Sequence, residues 1–418
     1  MAGSTMAEKM LASHSDAGSV SPDMHVTAEP DWVLGHDLSA PPGKRRWEQM
    51  GFETVKHPDR IIIVFDHYVP SASERISTLM DEIEGWVEEH GIEHFFPAGE
   101  GISHNIMSEG GYSLPGELIV GSDSHTTTHG AFGAFATGIG HTDLGYVLGE
   151  GELWLKVPES RRVVVENTLP DNVTAKDLGL RLMGELTTKG AIYDSIEYHG
   201  EGIEALEMYE RATLSNLAVE LGAMAGLVPP DDTTRDYLDG RALRDFEEVQ
   251  PDDDATYIEE TVIDASTVQP LVAKPASVDN IDTVENVAGI DVDQVFVGTC
   301  NNARYEDIAA FADLLAGEAV APGTDLIVTP GSKRALLRMN EEGLSNAIMN
   351  AGGMISPPGC GACFGAHGGV LGEGDVCLGT MNRNFPGRMG PGDIYLGSPH
   401  TAAATAIYGE LTDPREVL

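Results

Sequence analysis

Short apolar runs rich in β-branched residues recur along the chain, each near Gly, Pro or Asp, with longer segments of helical spacing between them. Ile61 to Phe65, Leu118 to Val120, Val163 to Val165, Val295 to Val297 and Leu326 to Val328 read as buried strands. Ser73 to His90, Ala175 to Thr188, Ile203 to Gly222, Tyr305 to Leu315 and Ser332 to Ala351 repeat apolar residues at helical intervals. This alternation predicts α/β layers. A fresh strand and helix pattern begins around Pro158 to Val164, and Asp231 to Asp282 is polar, acidic and punctuated by prolines. The chain therefore divides into three α/β units, 1–160, 161–284 and 285–418, the second containing an acidic stretch expected to be an ordered linker with loops.

Charge narrows the partners. The 67 acidic residues against 25 basic ones give a formal net charge of -42, which argues against nucleic acid. The acids are spread through the chain, so they describe a solvated surface and not a tail. At molar salt the Debye length is about 3 Å, which would screen the self-repulsion. A halophilic cytoplasmic source is the expectation. Met1 to Val20 lacks the pattern of a secretory signal, and no apolar run approaches the roughly 20 residues needed to span a bilayer.

Four cysteines in so long a chain do not make a disulfide scaffold. Cys360 and Cys363 stand on a turn tightened by Pro357, Pro358, Gly359, Gly361 and Gly365, which can aim both sulfurs at one centre. Cys300 follows a predicted strand, where open α/β sheets present functional groups. Three cysteines leave a structural zinc one ligand short unless a histidine joins them. A cubane iron-sulfur cluster with three cysteine ligands would keep one iron open as a Lewis acid. The plainer alternative is small core residues, and Cys377, in the apolar run Val376 to Leu378, fits that reading best.

Several segments together resemble the aconitase and isopropylmalate isomerase superfamily. They are Asp66-His67-Tyr68-Val69-Pro70, Gly101-Ile102-Ser103-His104, Val120-Gly121-Ser122-Asp123-Ser124-His125-Thr126, the two cysteine loops, and Asn382-Arg383-Asn384-Phe385-Pro386-Gly387-Arg388-Met389-Gly390. The likeness runs from about Ala7 to the C-terminus. It implies three α/β/α domains around a cleft holding a 4Fe-4S cluster on Cys300, Cys360 and Cys363. It also implies a fourth, swivelling domain supplied by a separate small subunit. Asn301, Ala303 and Asn105 depart from the residues common in relatives, which bears on the substrate and not on the ligands.

The implied chemistry is reversible loss of water from a hydroxy di- or tricarboxylic acid. Asp66 would raise the basicity of His67 and orient it, so that the imidazole protonates the departing hydroxyl. The resemblance assigns Asp123 and His125 to proton handling and Ser124 to a substrate carboxylate. It matches His104 and Glu197 to further acid and base positions. Helix capping is the competing account of Asp123 and Ser124. Arg383 and Arg388 would clamp carboxylates, with surface ion pairing as the alternative. Asn302 and Arg304 would brace the cluster loop, and His129, His141 and Asp143 read as packing or supporting groups. The proton-abstracting base is expected on the partner.

Among such hydro-lyases the leading expectation is isomerisation of 2- and 3-isopropylmalate in leucine biosynthesis. Homoaconitase and dimethylmalate or citraconate hydratase share the plan. From other classes, a cluster-sensing protein that binds RNA fits the charge poorly, and a zinc protein would show no visible absorbance.

Overall fold

The computed structural model describes residues 3–417; Met1, Ala2 and Leu418 lie outside them. All five apolar runs form strands, Ile61–Val64, Leu118–Gly121, Ser160–Glu166, Gln294–Val297 and Asp325–Val328. Four β-branched residues in a row at Ile61–Val64 are all buried, as expected of a parallel strand covered on both faces.

Besides a two-stranded antiparallel pair, His25–Ala28 with Leu153–Lys156, three larger sheets follow one another along the described residues. The first has five parallel strands in the order His94–Phe96, Ile61–Val64, Trp32–His36, Leu118–Gly121, Phe135–Gly138. The second has four parallel strands, Ala225–Leu227, Ser195–His199, Ser160–Glu166 and Glu259–Asp264. The third has seven, and its central strands Asp393–Leu396, Val376–Gly379, Gln294–Val297 and Asp325–Val328 are parallel. Leu271–Ala273 and Ile281–Thr283 join this third sheet antiparallel at one edge. The third sheet thus begins before residue 284, the expected boundary, because the end of the acidic stretch pairs with the last strand of the chain.

The helices begin and end on local chemistry. Glu74–His90 is capped by the Ser73 hydroxyl and stopped by Gly91 at φ 65. Ala175–Leu186 opens with a capping box between Thr174 and Asp177. Two expected helices are broken. Ser332 to Ala351 becomes Lys333–Glu341 and Leu344–Ala351 because Gly343 turns left-handed between them, at φ 82. Ile203 to Gly222 becomes Glu201–Glu204, Met208–Leu217 and a tighter turn at Ala218–Leu221. No helix among the described residues is long and apolar enough to cross a membrane.

Candidate active site

The carboxyl ends of strands from the first and third sheets meet at a cavity of about 320 Å³. His36 ends Trp32–His36, Asp66 and His67 follow Ile61–Val64, and Ser122 to His125 follow Leu118–Gly121. Cys300 follows Gln294–Val297, and Asn382 and Arg383 follow Val376–Gly379. This is where parallel sheets offer side chains that the ladder has not consumed. Eleven of the twelve expected site residues line the cavity; Glu197 does not.

Cys300, Cys360 and Cys363 face it together, and Cys300 and Cys360 pack against Ile102. Cys377 is buried in Val376–Gly379 and is not among the lining residues. Thr299 precedes Cys300 at φ 79, a left-handed conformation that costs a β-branched residue roughly 1–3 kcal/mol. The surroundings hold it there to aim the cysteine. Asn216 and Asn382 donate side-chain N–H groups to Cys300 Sγ at 3.2 and 3.4 Å, and Arg388 donates to Cys363 Sγ at 3.2 Å. Burial pushes the Cys300 thiol up to about 12, with Asp123 adding to it, and raises Cys360 as well. Three sulfurs that face one cavity, two of them receiving N–H donors, suit a metal centre that takes them as thiolates.

Ser122 Oγ, Asn382 Oδ1 and Arg388 Nε, all on residues lining the cavity, are buried polar atoms without a partner among the described residues. Unpaired polar atoms grouped on one cavity wall fit a polar ligand there. A different grouping of metal-binding types, His36, Asp37, Asp66 and His67, lies close by. Its carboxylates are spent. Asp37 accepts the amides of His67 and Tyr68 at 3.0 and 2.7 Å, and Asp66 accepts His67 Nδ1 at 2.6 Å and the Ser103 amide at 2.8 Å.

Burial works against a charge on His67, but the adjoining Asp66 carboxylate, with Asp37 and Asp123, lifts it to about 9. Asp66 is held low, His67 outweighing its burial. His36 stacks on His67 with ring centres 4.1 Å apart. Burial and the neighbouring imidazolium push His36 down to about 4, so it stays neutral. Asp123 accepts His104 Nε2 at 2.9 Å and the His125 amide at 2.7 Å, which overcome burial and keep it ionised. Behind His104 a chain runs from its Nδ1 to His129 Nε2, 3.2 Å, and from His129 Nδ1 to Ser113 Oγ, 2.7 Å. His129 thus stands behind His104, whereas His141 lines the cavity itself.

The expected role of Glu197 needs correcting. Its carboxylate is fully buried in the second sheet, accepting the Met6 amide at 2.7 Å and the Tyr257 hydroxyl at 2.7 Å. The glutamate that touches residues of the cavity is Glu220, which bridges His125 Nε2 at 2.9 Å and Arg383 Nε at 2.7 Å. Those partners hold it below the usual range against its burial. Sequence reasoning also missed Lys176. Its ammonium is fully buried and donates to Asn301 Oδ1 at 2.6 Å and the Met381 carbonyl at 2.6 Å, joining the Cys300 loop to the arginine loop. Asn301 in turn donates to Asn216 Oδ1 at 2.9 Å, which makes it a strut of the Cys300 loop. Arg304 braces the same loop by donating to the carbonyls of Asn301 and Cys300.

Comparison with known proteins gives consistent results. The model of the aconitase family (aconitate hydratase) matches residues 8–409. The chain is 47% identical to 3-isopropylmalate dehydratase large subunit 1 of Methanopyrus kandleri over the whole of both chains. It is 48% identical to a probable methanogen homoaconitase large subunit of Methanosarcina mazei, over 94% of this chain and all of that one. The homoaconitase large subunit of Thermus thermophilus is 44% identical over 99% of this chain and 98% of its own. Among solved structures, Thermococcus kodakaraensis aconitase X superposes with a TM-score of 0.51 at 12% identity, covering 86% of this chain and 84% of that one.

Proposed function

The chain belongs to the aconitase family and is a hydro-lyase, and from that premise we propose that it is the large subunit of a two-subunit enzyme that isomerises 2- and 3-isopropylmalate. The observation that carries this reading is the shared cavity: the Asp66–His67 pair, three thiols and two arginines all line it. The family implies a 4Fe-4S cluster. Cys300, Cys360 and Cys363 would hold it, leaving an open iron that supplies Lewis acidity toward a hydroxyl or carboxylate oxygen.

The chain's own residues supply the rest. His67 is held protonated by Asp66, so it can release a proton to a departing hydroxyl and regain one when water returns. Asp123 stays ionised and fixes the ring of His104, while Glu220 fixes His125 and the guanidinium of Arg383. Arg383, Arg388 and Ser124 bind the carboxylates of the substrate. The base that removes the carbon-bound proton lies on the small subunit, which also closes the cavity and reads the substrate's side group. An apolar residue there suits isopropyl, and an arginine suits an added carboxylate.

Homoaconitase is the second reading, favoured by the Methanosarcina mazei and Thermus thermophilus relatives at similar identity. Anaerobic reconstitution with the small subunit, followed by parallel assays of isopropylmalate, homocitrate-derived and citraconate substrates, distinguishes them. Isopropylmalate should turn over fastest. Full activity from the large subunit alone would refute the division of labour.

A further inference from the structure

A cavity of about 550 Å³ shares no lining residue with the active site. Arg241, Arg304, Arg334 and Arg338 face it, in a chain with 25 basic residues against 67 acidic ones. Arg338 is already committed, pairing with Glu342 at 2.8 Å and Glu306 at 3.2 Å and lying 3.5 Å over the Tyr305 ring. Arg304 holds the carbonyls of Cys300 and Asn301. Arg241 and Arg334 differ. Among the described residues neither pairs with a carboxylate; Arg241 donates to the Tyr237 carbonyl and lies 4.4 Å over that ring, and Arg334 reaches the Glu109 carbonyl at 3.4 Å.

No acid on the cavity wall makes an ion pair with either of them, although Arg334 is near enough to Glu109 to act on its charge. Glu306 is taken by Arg338, Glu109 accepts the Ser332 hydroxyl at 2.9 Å, and Glu207 is exposed to solvent. Burial also raises Glu109 toward its neutral form. Two guanidinium forks, the half-buried Arg241 and the exposed Arg334, are therefore left with donors to spare at a cavity with aromatic walls from Tyr209 and Tyr237. In so acidic a protein an unpaired arginine forgoes an abundant supply of partners.

We propose that this cavity is a second anion site, which takes a small multivalent oxyanion, a polycarboxylate or a phosphate compound, between Arg241 and Arg334. Either class offers planar or trigonal oxygen pairs that match the fork geometry. Arg304 forms part of the same wall and donates to the carbonyls of the Cys300 loop, so an anion bound here lies beside the side chain that supports that loop. The site stands whether or not the substrate is isopropylmalate.

The test is calorimetric titration of the intact chain with pyrophosphate and, separately, with tricarballylate, comparing wild type, R241Q/R334Q and R383Q/R388Q. A binding event that survives R383Q/R388Q and weakens roughly tenfold or more in R241Q/R334Q supports the site, and the better probe assigns phosphate or carboxylate chemistry. Wild-type crystals soaked in selenate provide a reading independent of variant folding, with anomalous density expected between Arg241 and Arg334. Unchanged binding in R241Q/R334Q, loss of all binding in R383Q/R388Q, or density confined to the catalytic cavity would overturn the proposal.

Discussion

The amide of Cys360 donates to the backbone carbonyl of Asp66 at 2.8 Å, so the second cysteine loop and the acid–base pair are parts of one structure. Gly359, just before that cysteine, makes the approach possible: a Cβ there would stand 2.9 Å from the same carbonyl oxygen. The proposed proton transfer at His67 and the proposed hold of Cys360 on the cluster would thereby be geometrically linked.

Gly359→Ala should therefore damage both properties together. Overpacking of this kind costs about 1–3 kcal/mol, and the strain falls on the Cys360–Asp66 contact. Iron content and turnover are expected to fall in parallel, measured by iron and sulfide analysis beside the assay. Loss of turnover with full iron occupancy would show that the contact does not couple them.

The two glutamates separate function from folding. Glu220→Gln weakens the hold on His125 and Arg383, and the expected loss in turnover is about 10- to 100-fold with little change in melting temperature. Glu197→Gln disturbs the bonds from Met6 and Tyr257, and its effect should be reversed: about 1–3 kcal/mol of stability lost with turnover little changed. Steady-state kinetics and thermal melts on the pair decide it. A collapse of turnover in E197Q alone would restore the assignment drawn from resemblance.

That contrast shows what could be read before any coordinates. The buried strands were legible because parallel strands covered on both faces are written as unbroken apolar runs, as at Ile61–Val64. Asp66, Asp123, Cys300 and Arg383 were legible because each directly follows such a strand or lies on a marked loop. Glu220 was not. It lies on the short turn Ala218–Leu221 after a helix, 95 residues from its partner His125, and no local pattern in the chain marks that meeting. Lys176 was hidden for the same reason, since its partners Asn301 and Met381 come from loops of the third sheet.

Lys176→Met should loosen the cysteine loop. The substitution leaves the Asn301 oxygen and the Met381 and Thr380 carbonyls without their shared donor, and each buried unsatisfied group costs about 1–3 kcal/mol. Expected outcomes are a lower melting temperature and faster bleaching of visible absorbance in air. The chain is expected to remain folded, and Lys176→Arg should recover part of the loss. Wild-type bleaching rates in K176M would remove Lys176 from the support of the site.

Glu117 sets a pH dependence unrelated to catalysis. Burial pushes it up to about 7, helped by the like charge of Asp31, although Arg244 pulls the other way. A folded-state pKa above the unfolded one means the native state holds the proton more tightly. Its contribution is therefore complete below the unfolded value and is lost as pH rises through about 7. The span is on the order of 3 kcal/mol. Denaturant melts of wild type and E117Q from pH 4.5 to 8 should show the variant with the flatter profile; parallel profiles would count against it.

Salt dependence tests the surface as a whole. Basic side chains such as Lys9, Lys44, Arg161 and Arg235 already pair with nearby acids, so the excess carboxylates have few cations left to meet. With a net charge of -42 their mutual repulsion opposes the compact state, and it acts over about 10 Å at 0.1 M salt but only about 3 Å at 1 M. The melting temperature should therefore climb steadily between 0.1 and about 2 M potassium chloride, most steeply at the low end where screening changes fastest. Chloride is the right anion for this measurement because sulfate would strengthen apolar burial as well. A melting temperature that is flat or falls across that range would mean that the acidic surface is accommodated without salt, and the inference of a saline cytoplasm would fall with it.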